Sequence, residues 1–293
     1  MDEQNIKNQF HSPLSELMGQ FIREKQAYGY RYQREAHELL RLDRFLCEIG
    51  LQSPGLPRDV VDRWTAKRVY EKPSNQRLRI IRMRQLALYL RRQGLDAYVP
   101  ETAKTGVKRI EFVPYIFTHQ QIKTIFQEAD CIPSDVRSPM RHLIMPEVFR
   151  LLYCCGMRVS EVVQLKFSDV DLAAGTLTVR ESKFRKDRLV ALTPSMTARL
   201  RRYAAFLGQG DSSSVFFPTS DGKPYSKGTI YYIFRQLLWK CSIPHGGRGR
   251  GPRLHDLRHS FSVHKLESWY QQGADLGIKL PLLATYMGLP LLV

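Results

Sequence analysis

Residues 253–261, RLHDLRHSF, gather His255, Arg258 and His259 within about one helical turn. Three residues apart, His255 and Arg258 fall on one helix face, where both side chains reach the same anion. A second arginine, Arg158 in GMRVSEVVQLKFSDVD, follows a glycine turn and precedes a short helix. Glu161 stands three residues on, at the spacing of a capping box, able to reach back and orient it. The segment ESKFRKD places Lys183 and Lys186 near the tip of a hairpin. Two arginines, a hairpin lysine and a histidine are what phosphoryl transfer needs. Guanidinium forks stabilise charge building on the non-bridging oxygens, and a Lys or His protonates the departing oxygen. That chemistry calls for no metal and no cofactor.

His255 and His259 also have the i, i+4 spacing of a metal pair. Arg258 between them would repel a dication, however, and Asp256 stands where the zincin helix has glutamate. A hydrogen-bonded core histidine beside an ion-paired arginine would account for the motif standing alone. It does not stand alone, because the Arg158 and Lys183 segments accompany it.

These residues need elements to hold them. The first hundred positions read as three or four helices with almost no β-alternation. The first is expected to open at Ser12 with Pro13 at its first position and to stop at Gly29. The second runs through Ala36, Leu39, Leu40, Phe45, Leu46 and Ile49 to Gly50. A third spans about 58–70. The fourth opens with Ser74 as cap, carries an apolar stripe of Leu78, Ile81 and Leu88, and stops at Gly94. Its polar side bears Arg77, Arg79, Arg82, Arg84, Arg91 and Arg92 with no acid between Ser74 and Gly94, so it reads as a phosphate-contacting surface or a solvated face. The polar stretch PETAKTGVKRIEFV separates the units, giving a helical domain over 1–105, a linker over 106–114 and a second domain over 115–293.

The second domain shows a helix capped by Thr118, another through Val148, Phe149, Leu151 and Leu152, two β-type runs TLTVR and RLVAL, and helices near 194–207 and 226–240. The loop PHGGRGRGPR offers a phosphate its glycine backbone together with Arg248, Arg250 and Arg253. The expected fold class is therefore mainly α: an all-α N-terminal domain, then a mixed, mostly α domain with a small antiparallel β-hairpin or sheet.

Lys and Arg total 45 against 28 Asp and Glu, a formal net charge of +17 that points to a polyanionic partner. The first hundred residues carry 18 basic and 12 acidic side chains and the remaining 193 carry 27 and 16, so both parts face it. The apolar runs are too short to span a bilayer. The opening MDEQNIKNQF has neither the basic nor the apolar region of a secretory signal, so a cytoplasmic location is expected. Cys47, Cys131, Cys154, Cys155 and Cys241 form no C-x-x-C pair and are expected to be reduced and mostly buried. An RNA-binding reading would ask for aromatic stacking motifs on a sheet, and none is evident.

LLYCCGMRVSEVVQLKFSDVD, ESKFRKDRLVAL and RLHDLRHSF together resemble, in order and spacing, the tyrosine recombinase (phage integrase) family over about 115–288. The resemblance implies a core-binding front part that clamps double-stranded DNA and a catalytic part that cuts and rejoins strands through a 3′-phosphotyrosine, as in integration by mobile genetic elements. It implies that Arg158 is the first catalytic arginine, Glu161 its supporting acid, Lys183 the general acid, and His255 with Arg258 the H-x-x-R pair. The family's third motif, a helix leading to Gly and then His, is matched by LLATYMGLPLLV only as far as Gly288, because Leu289 follows. The family's nucleophilic tyrosine lies beyond that histidine, and neither Tyr286 nor Tyr270 is placed to substitute. The expectation is a C-terminally truncated, cleavage-deficient member that binds double-stranded DNA and self-associates there, with no membrane and no small-molecule substrate. The alternative is a non-catalytic DNA-binding regulator or decoy at recombination sites.

Overall fold

Apolar residues at helical spacing produce four helices in the first hundred positions: α1 (Ser15–Ala27), α2 (Gln33–Glu48), α3 (Arg58–Thr65) and α4 (Pro73–Arg92). They belong to the first of two compact units, Met1–Phe112 and Val113–Val293. The computed structural model describes residues 10–30, 32–101, 113–180, 187–208, 210–244, 246 and 251–289. No helix among them is long and apolar enough to cross a membrane.

The helix stops fall at the glycines, Gly29, Gly50 and Gly94, each with positive φ. The starts differ from expectation. Ser12 does not cap α1, which begins at Ser15; the Ser12 and His11 amides instead donate to the buried Asp43 carboxylate of α2 at 2.9 and 2.8 Å. Lys72, not Ser74, is the N-cap of α4, with Pro73 in its first turn. The third helix ends at Thr65 rather than near 70. Gln76 and Arg79 of α4 donate to the carbonyls of Thr65 and Ala66 at 3.1 and 2.9 Å, satisfying the end of the helix from outside.

The expected stripe of α4 is out of phase. Ile80, Met83, Leu86, Ala87 and Leu90 are buried, whereas Leu78 and Leu88 are exposed. Arg79 lies on the buried side, and the core of this unit forms where α4 packs on α1 and α3.

The second unit carries α5 (His119–Asp130), α6 (Arg141–Cys154), α7 (Val159–Val163), α8 (Pro194–Leu207), α9 (Lys227–Lys240), α10 (Leu254–Gln271) and α11 (Leu276–Met287). Thr118 closes a reciprocal capping box with Gln121 at the start of α5. Helix α6 is central: Ile144 through Leu152 are buried, and α5, α8 and α10 pack around it. The two β-type runs form strands, and a third joins them. β1 (Val170–Asp171), β2 (Thr176–Val179) and β3 (Arg188–Ala191) make an antiparallel sheet in that order, with Val179 opposite Arg188 and Leu177 opposite Val190. The fold is thus mainly α with one small antiparallel sheet. All five cysteines are free, but only Cys155 is buried and Cys47 and Cys131 are exposed, against the expectation of mostly buried thiols.

Candidate functional site

Helix α6 ends at Cys154, and the chain turns at Gly156 with φ +56°. A Cβ there would meet the Phe261 ring of α10 at 2.5 Å, so glycine answers both the left-handed backbone and the close approach of α10. The turn delivers Arg158 to the N-cap of α7. Its amide donates to Glu161 Oε2 at 2.8 Å and its Nη1 to Glu161 Oε1 at 2.7 Å. Arginine has no acceptor to return the bond, so only the acidic half of a capping box forms, and that half aims the guanidinium. The same device recurs at α10, where the Arg253 amide donates to Asp256 Oδ2 at 2.8 Å. It fixes the first turn of the helix that carries His255, Arg258 and His259.

Three guanidiniums then converge on the end of α11. Arg158 Nη2 donates to the Gly288 carbonyl at 3.0 Å, Arg258 Nη2 to the Met287 carbonyl, and Arg188 Nε to the Tyr286 carbonyl at 2.9 Å. These are three consecutive carbonyls at a helix C-terminus, where the backbone is acceptor-rich and partially negative. Arg258 Nη1 also reaches the Gly156 carbonyl, which ties the α6 turn to α10. Arg158 and Arg258, 100 residues apart in the chain, therefore end on neighbouring peptide groups.

Electrostatics agree with this crowding. Burial and then the Arg158 charge lower Arg258 to about 10, which leaves it charged at neutral pH. His255 is exposed, yet desolvation by the surrounding chain, followed by His259, Arg258 and Arg158, pushes it down to about 4 and keeps the ring neutral at pH 7. Burial opposes ionisation of Glu161, but hydrogen bonds from Arg188 and the Arg158 amide outweigh it and hold the carboxyl at about 2. An anionic Glu161 between Arg158 and Arg188, beside Arg258 and a neutral His255, leaves a net-positive pocket suited to an oxyanion. Beside it, a cleft of about 320 Å³ is lined by Met157, Val159, Tyr231, Arg253 and His255.

The sequence-derived residues fare unevenly. Arg158, Glu161, His255 and Arg258 come together; Lys183, Lys186, Arg248 and Arg250 lie outside the described residues. Arg253 stands at the N-cap of α10 and lines the cleft. The arginines of α4 find partners from elsewhere in the chain. Arg79, 3% exposed, is paired with Glu71, with Nε to Oε1 at 3.2 Å. Arg82 binds Glu38 and, at 3.1 Å, Glu35. Arg92 binds Glu24 at 2.7 Å. Arg84 and Arg91 donate to the Pro100 and Ala97 carbonyls at 3.0 and 2.7 Å, and Arg77 stays exposed. The absence of acids within α4 did not leave the face unneutralised, because other segments supply them.

Two features escaped sequence reading. A groove of about 720 Å³ in the first unit is lined by Arg34, His37 and Arg41 of α2, by Arg68 and Tyr70 of the segment after α3, and by Arg79 and Arg82 of α4, with Glu38 and Glu71 among them. Arg188 is the second, and by its residue type alone it marks only the start of a strand-type run. Its signal was there: in RLVAL it shares a face with Val190, which is buried, and a charged residue on a buried strand face requires a partner.

A model of the phage integrase family matches residues 116–276. The chain is 30% identical to a putative integrase/recombinase, y4rE, of Sinorhizobium fredii over 94% of its length and 87% of that protein. It is 30% identical to the tyrosine recombinase XerD of Proteus mirabilis over 71% of its length and 63% of that protein. Among solved structures, a lambda integrase dimer bound to a COC′ core site shares the fold with a TM-score of 0.61 at 16% identity, covering 98% of this chain and 77% of that one.

Proposed function

The chain belongs to the phage integrase family, and from that premise we propose that it binds double-stranded DNA and grips one phosphodiester between Arg158 and Arg258, in the service of site-specific recombination. The carrying observation is the delivery of these two guanidiniums, from the α6–α7 turn and from α10, to the adjacent carbonyls of Gly288 and Met287. Each keeps further N–H groups for non-bridging oxygens. Neutral His255 stands beside them as a hydrogen-bonding partner whose pKa rises when a phosphate arrives. Lys183 completes the set as the proton donor to the leaving oxygen.

In this reading the exposed cations Arg34, Arg41 and Arg77 of the first unit, and Arg248, Arg250 and Arg253 of the second, supply further phosphate contacts. Such contacts position the protein without reading sequence. Assembly of copies along DNA belongs to the same reading.

We further propose that a polypeptide of these 293 residues holds DNA without attacking it. Tyr286 donates its hydroxyl to the Ala191 carbonyl at 3.1 Å, and burial raises its pKa, so it is neither aimed nor activated. Tyr270 lies about 22 Å along α10 from His255 at 1.5 Å per residue. This reading encompasses a regulator or decoy at recombination sites. The test selects a binding site from a random duplex library and presents it with a nick that traps any covalent intermediate. The expected result is a retarded complex that denaturant dissociates; a denaturant-stable protein–DNA adduct overturns the non-cleaving reading.

A further inference from the structure

Arg188 opens β3 with a side chain 9% exposed, and its donors are committed inward. Nη1 and Nη2 bind Glu161 Oε1 and Oε2 at 3.0 and 2.8 Å, a two-pronged pairing, while Nε holds the Tyr286 carbonyl. Glu161 is thereby shared, since the same two oxygens also hold the Arg158 Nη1 and amide. A second route links the pair. A Cβ on Gly288 would lie 3.1 Å from Arg188 Nη1 and 3.3 Å from its Cδ, so Arg188 packs directly beneath the residue whose carbonyl holds Arg158 Nη2.

We infer that Arg188 is a positioning residue for the oxyanion pocket: it locks Glu161 and the end of α11, and through both it sets the direction of the Arg158 guanidinium. The inference rests on the phosphodiester reading above and adds to it a residue that need not touch DNA. Two effects follow from one side chain. The Arg188 charge offsets Glu161, so that Arg158 and Arg258 keep their net attraction for an anion. Its planar fork fixes the carboxylate's rotation, which a lysine cannot reproduce. Arg188→Gln removes both effects and Arg188→Lys only the second.

The experiment uses the full chain with its arginine side chains labelled with ¹⁵N and its glutamate carboxyls with ¹³C, and titrates inorganic phosphate. In the wild type, phosphate shifts the Arg158 and Arg258 resonances. Arg188→Gln is expected to weaken phosphate about tenfold and Arg188→Lys about threefold, the range for coupled charged neighbours. Without phosphate, both variants displace the Arg158 signal, and the Glu161 carboxyl titrates at higher pH than in the wild type. Thermal unfolding confirms that each variant is folded; should Arg188→Gln fail to fold, Arg188→Lys alone decides. A lysine variant that matches the wild type in phosphate affinity, Arg158 signal and Glu161 titration overturns the positioning role. If wild-type Arg158 and Arg258 ignore phosphate while the variants still move Arg158 and Glu161, the phosphodiester reading falls and the coupling of Arg188 to Arg158 stands.

Discussion

Replacing Gly156 with alanine tests how tightly the turn below the arginine pocket is built. At φ +56° an L-residue costs about 1–2 kcal/mol relative to glycine. The added methyl would also stand 2.5 Å from Phe261 Cδ1 and 2.9 Å from Cε1, so the ring or α10 must move, and overpacking of this kind costs about 1–3 kcal/mol. The sum is a destabilisation of roughly 2–5 kcal/mol. For a unit of this size that lowers the thermal midpoint by roughly 5–15 °C. Phe261 and Arg258 share α10, and the Gly156 carbonyl is an Arg258 acceptor, so phosphate affinity should fall as well. Thermal and urea unfolding measure the first effect, and phosphate titration the second. In a Phe261→Ala background the steric part is relieved, and the alanine at 156 should then cost only about 1–2 kcal/mol, the backbone share. A Gly156→Ala protein within about 0.5 kcal/mol of wild type would show that neither the left-handed backbone nor the Phe261 contact constrains this turn, and one equally destabilised with and without the Phe261 ring would show that the Phe261 contact does not.

Glu161 ionises at about 2 in the folded chain against an ordinary 4.5, so its contribution is fully present above about pH 4.5 and is lost as pH falls through about 2. Urea unfolding should show the wild type losing on the order of 3 kcal/mol more than Glu161→Gln between pH 5 and pH 2; parallel curves would contradict it. His255 should titrate well below 6.5 in the free protein and move upward with phosphate, so that phosphate binding takes up a proton in the acidic range; an NMR titration reads both. Arg79→Ala should cost roughly 3 kcal/mol of stability by stranding Glu71, with no specific loss in DNA binding. Arg41→Ala should leave unfolding unchanged while lowering the salt slope of DNA binding by about 1.

What the sequence made legible is what local chemistry controls. Helical periodicity placed the helices, the glycines marked where α1, α2 and α4 stop, and Thr118 announced itself as the cap of α5. Arg158 with Glu161 and His255 with Arg258 could be picked out because each pair sits within one turn. What escaped reading was tertiary. The partners of Arg79 and Arg82 come from Glu71 and from α2, so counting acids within α4 could not find them. The phase of α4 was ambiguous because leucines and isoleucines lie on more than one of its faces, and only packing on α1 and α3 chose between them. The Tyr286 carbonyl that receives Arg188 is 98 residues away, and a backbone acceptor leaves no mark in residue type.

Arg158 and Arg258 are proposed to share one phosphate. The most direct measurement replaces each phosphodiester of a selected DNA site, one at a time, by a neutral methylphosphonate, and compares binding by the wild type, Arg158→Ala and Arg258→Ala. A shared phosphate gives a single position per bound copy where neutralisation weakens the wild type most, with both variants losing their sensitivity at that same position. Sensitivity lost at two different positions, or no position to which either variant is blind, would contradict it.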